Sequence, residues 1–140
     1  MRPTYENQKT LADERSTADT LEQLYNCELK KMPIKMSLDF MAMRDGVAVS
    51  FIEVRNRKNG RMAYPTYMVS LYKYMMASSI TQTTGLPCFL AVQWADSLGI
   101  VKMPCEDGVT IGWGGLTSRG DPQDMEPMAY INIDQFRVLP

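Results

Sequence analysis

A chain of 140 residues with 45 % hydrophobic content suits one domain, residues 1–140, with a core of its own. It contains no histidine, which excludes Ser-His-Asp and Cys-His nucleophilic catalysis and His-ligated zinc. The net charge of −1 lacks the basic excess usual in a nucleic-acid binder.

In chain order, residues from about Thr4 to Asn26 read as a helix. Leu11, Ala18, Leu21 and Tyr25 recur at spacings of seven, three and four, which makes one stripe. Glu14 falls inside that stripe. A carboxylate on a buried face needs a partner. Either a cation at a site serves Glu14, or Arg15 or Lys9 pairs with it, or it is solvated at the stripe's edge. Cys27 to Ile34 is expected to be a short strand. The segment Met36-Ser-Leu-Asp-Phe-Met-Ala-Met43 and the segment Val47-Ala-Val-Ser-Phe-Ile-Glu-Val-Arg55 flank Arg44-Asp45-Gly46, a turn signal. They read as a β-hairpin.

A three-residue turn pairs Met43 with Val47 and Asp39 with Phe51. Side chains alternate along a strand, so Asp39 and Glu53 then share a face as diagonal neighbours. Two converging carboxylates suit one hard divalent cation. A two-residue turn would shift the register by one and send Asp39 to the other face.

Asn56-Arg-Lys-Asn-Gly60 is a polar loop. Pro65 to about Thr84 is expected to be a second helix, capped by Gly85, with Met68, Leu71, Tyr72, Met75 and Ile80 as its packing face. Leu86 to Trp94 is a continuous apolar run, which predicts a buried central strand. Gly99–Met103 and Val109–Trp113 are further strands, Gly114–Asp124 is a loop, and Ala129–Ile133 and Phe136–Leu139 close the chain. Gly112-Trp-Gly-Gly-Leu116 has no Lys-Ser/Thr after it and reads as a turn. Trp94 and Trp113 suit either base stacking or core packing.

Asp39, followed fourteen residues later by Glu53-Val54-Arg55, resembles the signature of the PD-(D/E)XK nuclease superfamily, which includes restriction endonucleases and Holliday-junction resolvases. The order of elements over roughly the first hundred residues agrees with it. No Pro precedes Asp39, and Arg55 stands where the family has lysine. The resemblance implies an α/β fold with a restriction-endonuclease-like core, a central mixed β-sheet flanked by helices in the order α-β-β-β-α-β-β.

It further implies a Mg²⁺- or Mn²⁺-dependent DNA endonuclease in which Asp39, Glu53 and Arg55 are catalytic. Asp39, Glu53, the Val54 carbonyl and Glu14 would bind the metal. Lys58 or Lys73 is an alternative source of the missing lysine, since an arginine cannot serve as a base. Arg57, Lys58 and Arg61 follow the hairpin, where a phosphate backbone of duplex or branched DNA would pass; they also fit a solvated loop. A homodimer would suit cleavage of both strands, and a phage source suits a nuclease this small.

No apolar run is long enough to cross a membrane. Met1-Arg-Pro-Thr-Tyr-Glu-Asn7 lacks the apolar centre of a signal peptide. Cys27, Cys88 and Cys105 are far apart and in no metal-binding spacing, as expected of reduced thiols in a cytoplasmic protein. Two other readings stay open: a nuclease fold without catalysis that serves binding or assembly, and an unrelated α/β domain in which Asp39 and Glu53 are ordinary charges.

Overall fold

The computed structural model describes residues 8–33, 36, 38–115 and 125–140. Helix α1 spans Gln8–Tyr25 and is followed by strands β1 (Glu28–Lys31), β2 (Phe40–Arg44) and β3 (Val47–Asn56). A 3-10 turn at Arg61–Ala63 leads to β4 (Thr66–Ser70), helix α2 (Leu71–Thr84), β5 (Cys88–Gln93) and β6 (Leu98–Met103). Strands β7 (Thr110–Gly115), β8 (Met125–Asn132) and β9 (Arg137–Val138) complete the described chain. They form a six-stranded sheet ordered β1-β2-β3-β5-β6-β9 and a three-stranded sheet ordered β4-β8-β7. The large sheet is mixed, because β5 pairs parallel to β3 while its other pairings are antiparallel. A parallel pair needs a crossover, and β4 with α2 provides it.

One strand serves two cores. Ile52 and Val54 of β3 join Phe40, Ala42, Ala91 and Ile100 against Ala18 and Leu21 of α1. Phe51 faces the other way, towards Leu90, Val92, Val101, Ala77 of α2, and Tyr67, Val69, Ala129 and Ile131 of the small sheet. By the same alternation Glu53 and Arg55 lie on that second face, beside Leu90 and Val92 across the ladder. The apolar run at 86–94 is a buried central strand, as its composition predicts: Cys88, Leu90, Ala91 and Val92 are fully covered.

The structure corrects several expectations. The helix expected from Pro65 begins only at Leu71, and residues 66–70 are a strand. Tyr67 and Val69 are buried while Met68 is not, a period of two that the Met68–Leu71–Met75 spacing masked. The partner of β4 is β8, some sixty residues later, beyond any local window. Of the face expected for α2, Leu71 and Ile80 pack on the core, but Tyr72 and Met75 are exposed. Gly85 does cap the helix, with φ of 75° and its N–H on the Thr81 carbonyl. Leu11 is also exposed, so the α1 stripe rests on Ala18 and Leu21. Gly114 and Gly115 finish β7 instead of starting a loop; residues 116–124 lie outside the described residues, as do Thr4–Asn7 and Ile34.

The hairpin turn is also different. Arg44 pairs with Val47 across a two-residue Asp45-Gly46 turn, whose φ values of 53° and 78° are the positive pair that a tight hairpin requires. That register alone would put Asp39 on the wrong face. A bulge follows at once: Met43 pairs with Ala48 but Ala42 pairs with Ser50, so Val49 is the extra residue. Each change shifts parity by one, and the two cancel. The ladder runs on to Phe40–Ile52, and one further step brings Asp39 to Glu53.

Candidate active site

Where β2 ends, β3 continues alone on that side, and its backbone N–H groups need acceptors. The Asp39 carboxylate supplies one: its Oδ2 accepts the Val54 N–H at 2.8 Å. Asp39 is nine-tenths buried. Its own carbonyl accepts the Met32 N–H at 2.8 Å, which ties the bend before β2 to the end of β1.

Glu53 is 0 % exposed. Its Oε2 receives the Lys73 ammonium of α2 at 2.8 Å and also contacts the Arg55 guanidinium. Its Oε1 is buried with no hydrogen-bond partner. Burial pushes the Glu53 carboxyl above its ordinary value, and the nearby Asp39 charge adds to this, while Arg55 and Lys73 oppose it. Burial works against the charge on Arg55, but Glu53, then Asp39, hold that guanidinium firmly protonated. Arg55 is thereby locked to a carboxylate, whereas Lys73 reaches the same oxygen from the first turn of a helix.

Glu14 comes from the opposite layer. It is buried on α1, and the Lys31 ammonium of β1 lies 2.6 Å from its Oε1 and 3.7 Å from Asp39 Oδ1. Arg15, one of the expected partners of Glu14, pairs with Asp19 and Glu22. Glu14 and Glu53 thus lie on opposite faces of the sheet, joined through Lys31 and Asp39. Among the described residues, no group of three or more Cys, Asp or Glu side chains is arranged to hold a metal ion. The sequence reading singled out Lys73 but missed Lys31. Lys31 follows buried Leu29 at period two on a strand beside β2, which places it on the α1 face but does not mark it as part of a site.

Arg57 and Lys58 are exposed, and Arg61 partly so. Arg57 lies over the ring of Tyr67, 5.0 Å from its centroid. Arg61 is held through its backbone N–H, which donates to Asp96 Oδ1 at 3.0 Å. Trp94 is core, packed edge-on against Tyr67 and Phe136, while Trp113 is exposed on β7. No described helix is long and apolar enough to cross a membrane.

No curated protein matches the chain. The structure is similar to that of Hjc, a Holliday junction resolvase from the archaeal hyperthermophile Archaeoglobus fulgidus, with a TM-score of 0.55 over 89 % of this chain and 84 % of that one. Identity is 14 %, so the likeness is one of fold. A family described as "Phage putative PDDEXK endonuclease" matches residues 1–139. The chain therefore belongs to the phage PDDEXK endonuclease family.

Proposed function

We propose that this protein is a metal-dependent DNA endonuclease that hydrolyses phosphodiester bonds at Asp39 and Glu53-Val54-Arg55. One observation carries the reading. A fully buried carboxylate, Glu53, stands between Arg55 and Lys73 with one oxygen left unpartnered. Burying such a group costs stability unless the site uses it.

The donor set fits a hard divalent ion, since it consists of carboxylate and carbonyl oxygens. Asp39, Glu53 and the Val54 carbonyl would hold Mg²⁺ or Mn²⁺, and Glu14 would act from the second layer through Lys31. Bound there, the ion would neutralise phosphate charge and lower the pKa of a water. Arg55 keeps Glu53 in place and adds positive charge, but it cannot take up a proton. Lys73 is the lysine beside Glu53, and its compact ammonium on a flexible stem can turn from the carboxylate to a phosphate oxygen. Arg57, Lys58 and Arg61 follow β3 in sequence and would suit a DNA backbone. The resolvase-like fold supports branched DNA as one substrate, and a homodimer of this single domain would cut two strands in a cytoplasmic setting.

A second reading rests on a specific feature. The Glu53 and Asp39 carboxylates already face Lys or Arg groups within the chain, which suits a nuclease fold retained for binding. Plasmid and branched DNA incubated with Mg²⁺ or Mn²⁺ separate the two. Cleavage by the wild type that is lost in Glu53→Ala supports the enzyme; DNA binding without cleavage supports the module.

A further inference from the structure

Two buried side-chain oxygens among the described residues have no hydrogen-bond partner: Glu53 Oε1 and the hydroxyl of Tyr67. Tyr67 stands on β4, which is not part of the sheet that carries Glu53. Its ring is 6 % exposed and packs edge-on against Trp94 and Phe136, at centroid distances of 6.1 and 5.8 Å. The other side of the ring carries the Arg57 guanidinium. Arg57 continues the β3 face that bears Glu53 and Arg55, and the charges of all three act on the Tyr67 phenol.

The ring contacts explain an aromatic residue at this position but not a tyrosine. Phenylalanine would make the same edge-on contacts and the same cation–π contact. The hydroxyl adds only a buried donor with no acceptor, which is unfavourable. Arg55 and Arg57 are the cations that act on the phenol, and the nearby Glu53 carboxylate takes both of its cations on Oε2, which leaves its Oε1 as unpartnered as the hydroxyl.

We propose that Tyr67 is a catalytic residue of this site, its hydroxyl donating a hydrogen bond to a non-bridging oxygen of the scissile phosphate. The proposal rests on the endonuclease reading above. Arg57 is exposed, and its guanidinium lies over the ring while its Nη1 donates to the Asn56 carbonyl at 3.1 Å. Turning towards a phosphate, it opens the way to the hydroxyl beneath. Burial, with Glu53, pushes the phenol above its ordinary value despite Arg57 and Arg55. The group is therefore a protonated donor at neutral pH.

Tyr67→Phe tests this with the ring kept in place. Single-turnover cleavage of branched or plasmid DNA in Mn²⁺ is expected to fall about 10- to 100-fold, the scale of one lost transition-state donor. The melting temperature should stay level or rise, because an unpaired buried hydroxyl has been removed. A phosphorothioate at the scissile position adds a measurement that a packing role would not move. Sulfur accepts hydrogen bonds poorly, so the wild type should lose rate on one stereoisomer, while Tyr67→Phe should lose little more.

Wild-type cleavage rate in Tyr67→Phe would overturn the proposal, as would a rate loss that follows a lowered melting temperature. Fully additive losses on both phosphorothioate isomers would overturn it too. If the wild type cleaves no DNA, the endonuclease reading itself fails and takes the proposal with it, an outcome distinct from failure at Tyr67 alone.

Discussion

The two faces of the large sheet are built from the same strands, yet only one of them has charged residues of the central strand β3 set into it. On the α1 face, Phe40, Ala42, Ile52, Val54, Ala91 and Ile100 meet Ala18 and Leu21 in an apolar layer. On the other face, Leu90, Val92 and Val101 continue the apolar pattern, but Glu53 and Arg55 are set into it and Lys73 closes over them. Ile52 and Val54 stabilise the first layer, and Glu53 and Arg55 bring charge to the second at a desolvation cost. One residue of register decides which layer receives the carboxylate. The bulge at Val49 therefore matters as much to the site as any acidic side chain.

The comparison breaks most sharply at Glu53. Glu53→Gln keeps the volume and should abolish cleavage, by about 10³-fold or more, which is roughly 4 kcal/mol of transition-state stabilisation. Its fold should persist by circular dichroism. On the α1 face, Leu21→Ala should do the reverse. Removing a fully buried leucine costs about 3 kcal/mol, within the usual range for such a cavity. Denaturant melts should show that loss, while the rate per folded molecule stays as in the wild type.

Metal linkage should belong to the charged face alone. At a hundredfold excess over Kd, Mn²⁺ is expected to stabilise the fold by about 2.7 kcal/mol, seen as a raised melting temperature that EDTA reverses. An equal rise in the Asp39→Ala/Glu53→Ala double variant would remove these residues from the metal site. Lys73 and Arg55 can then be set apart. Lys73→Met should slow cleavage about 10²-fold, whereas Arg55→Lys should retain it, since lysine preserves the counter-ion to Glu53. The smallest effect is expected at the rim. Arg57→Ala should weaken DNA binding by a modest factor and lower the salt slope by about one.

What could be read in the chain beforehand follows from how local each signal is. The apolar run of β5, the Asp45-Gly46 turn and the Gly85 cap are short-range features, and they are visible in a few residues. The pairing of β4 with β8 is not, because neither strand's partner lies near it in sequence. Met68 also lies three residues before Leu71 and seven before Met75, a spacing that imitates a helix. For the site, Asp39 and Glu53 stand out because a carboxylate in an apolar strand is unusual. Their shared face does not follow from the sequence, because the turn is one residue shorter than the Arg44-Asp45-Gly46 signal suggests and the bulge leaves no composition signal. Lys31 and Tyr67 reach their places only through tertiary packing, the first by bridging β1 to α1 and the second from another sheet. Arg55 could be located from its position after Glu53. That it is locked against this carboxylate while Lys73 arrives from a helix required the structure.

Cleavage by the wild-type chain tests the central claim most directly. Purified protein in single-turnover excess, with Mn²⁺ or with EDTA, is incubated with linear duplex, supercoiled plasmid and branched DNA. Strand cuts are expected on at least one of these substrates with Mn²⁺ and none with EDTA. Intact DNA in every case, with the protein folded and Mn²⁺ bound, would contradict it.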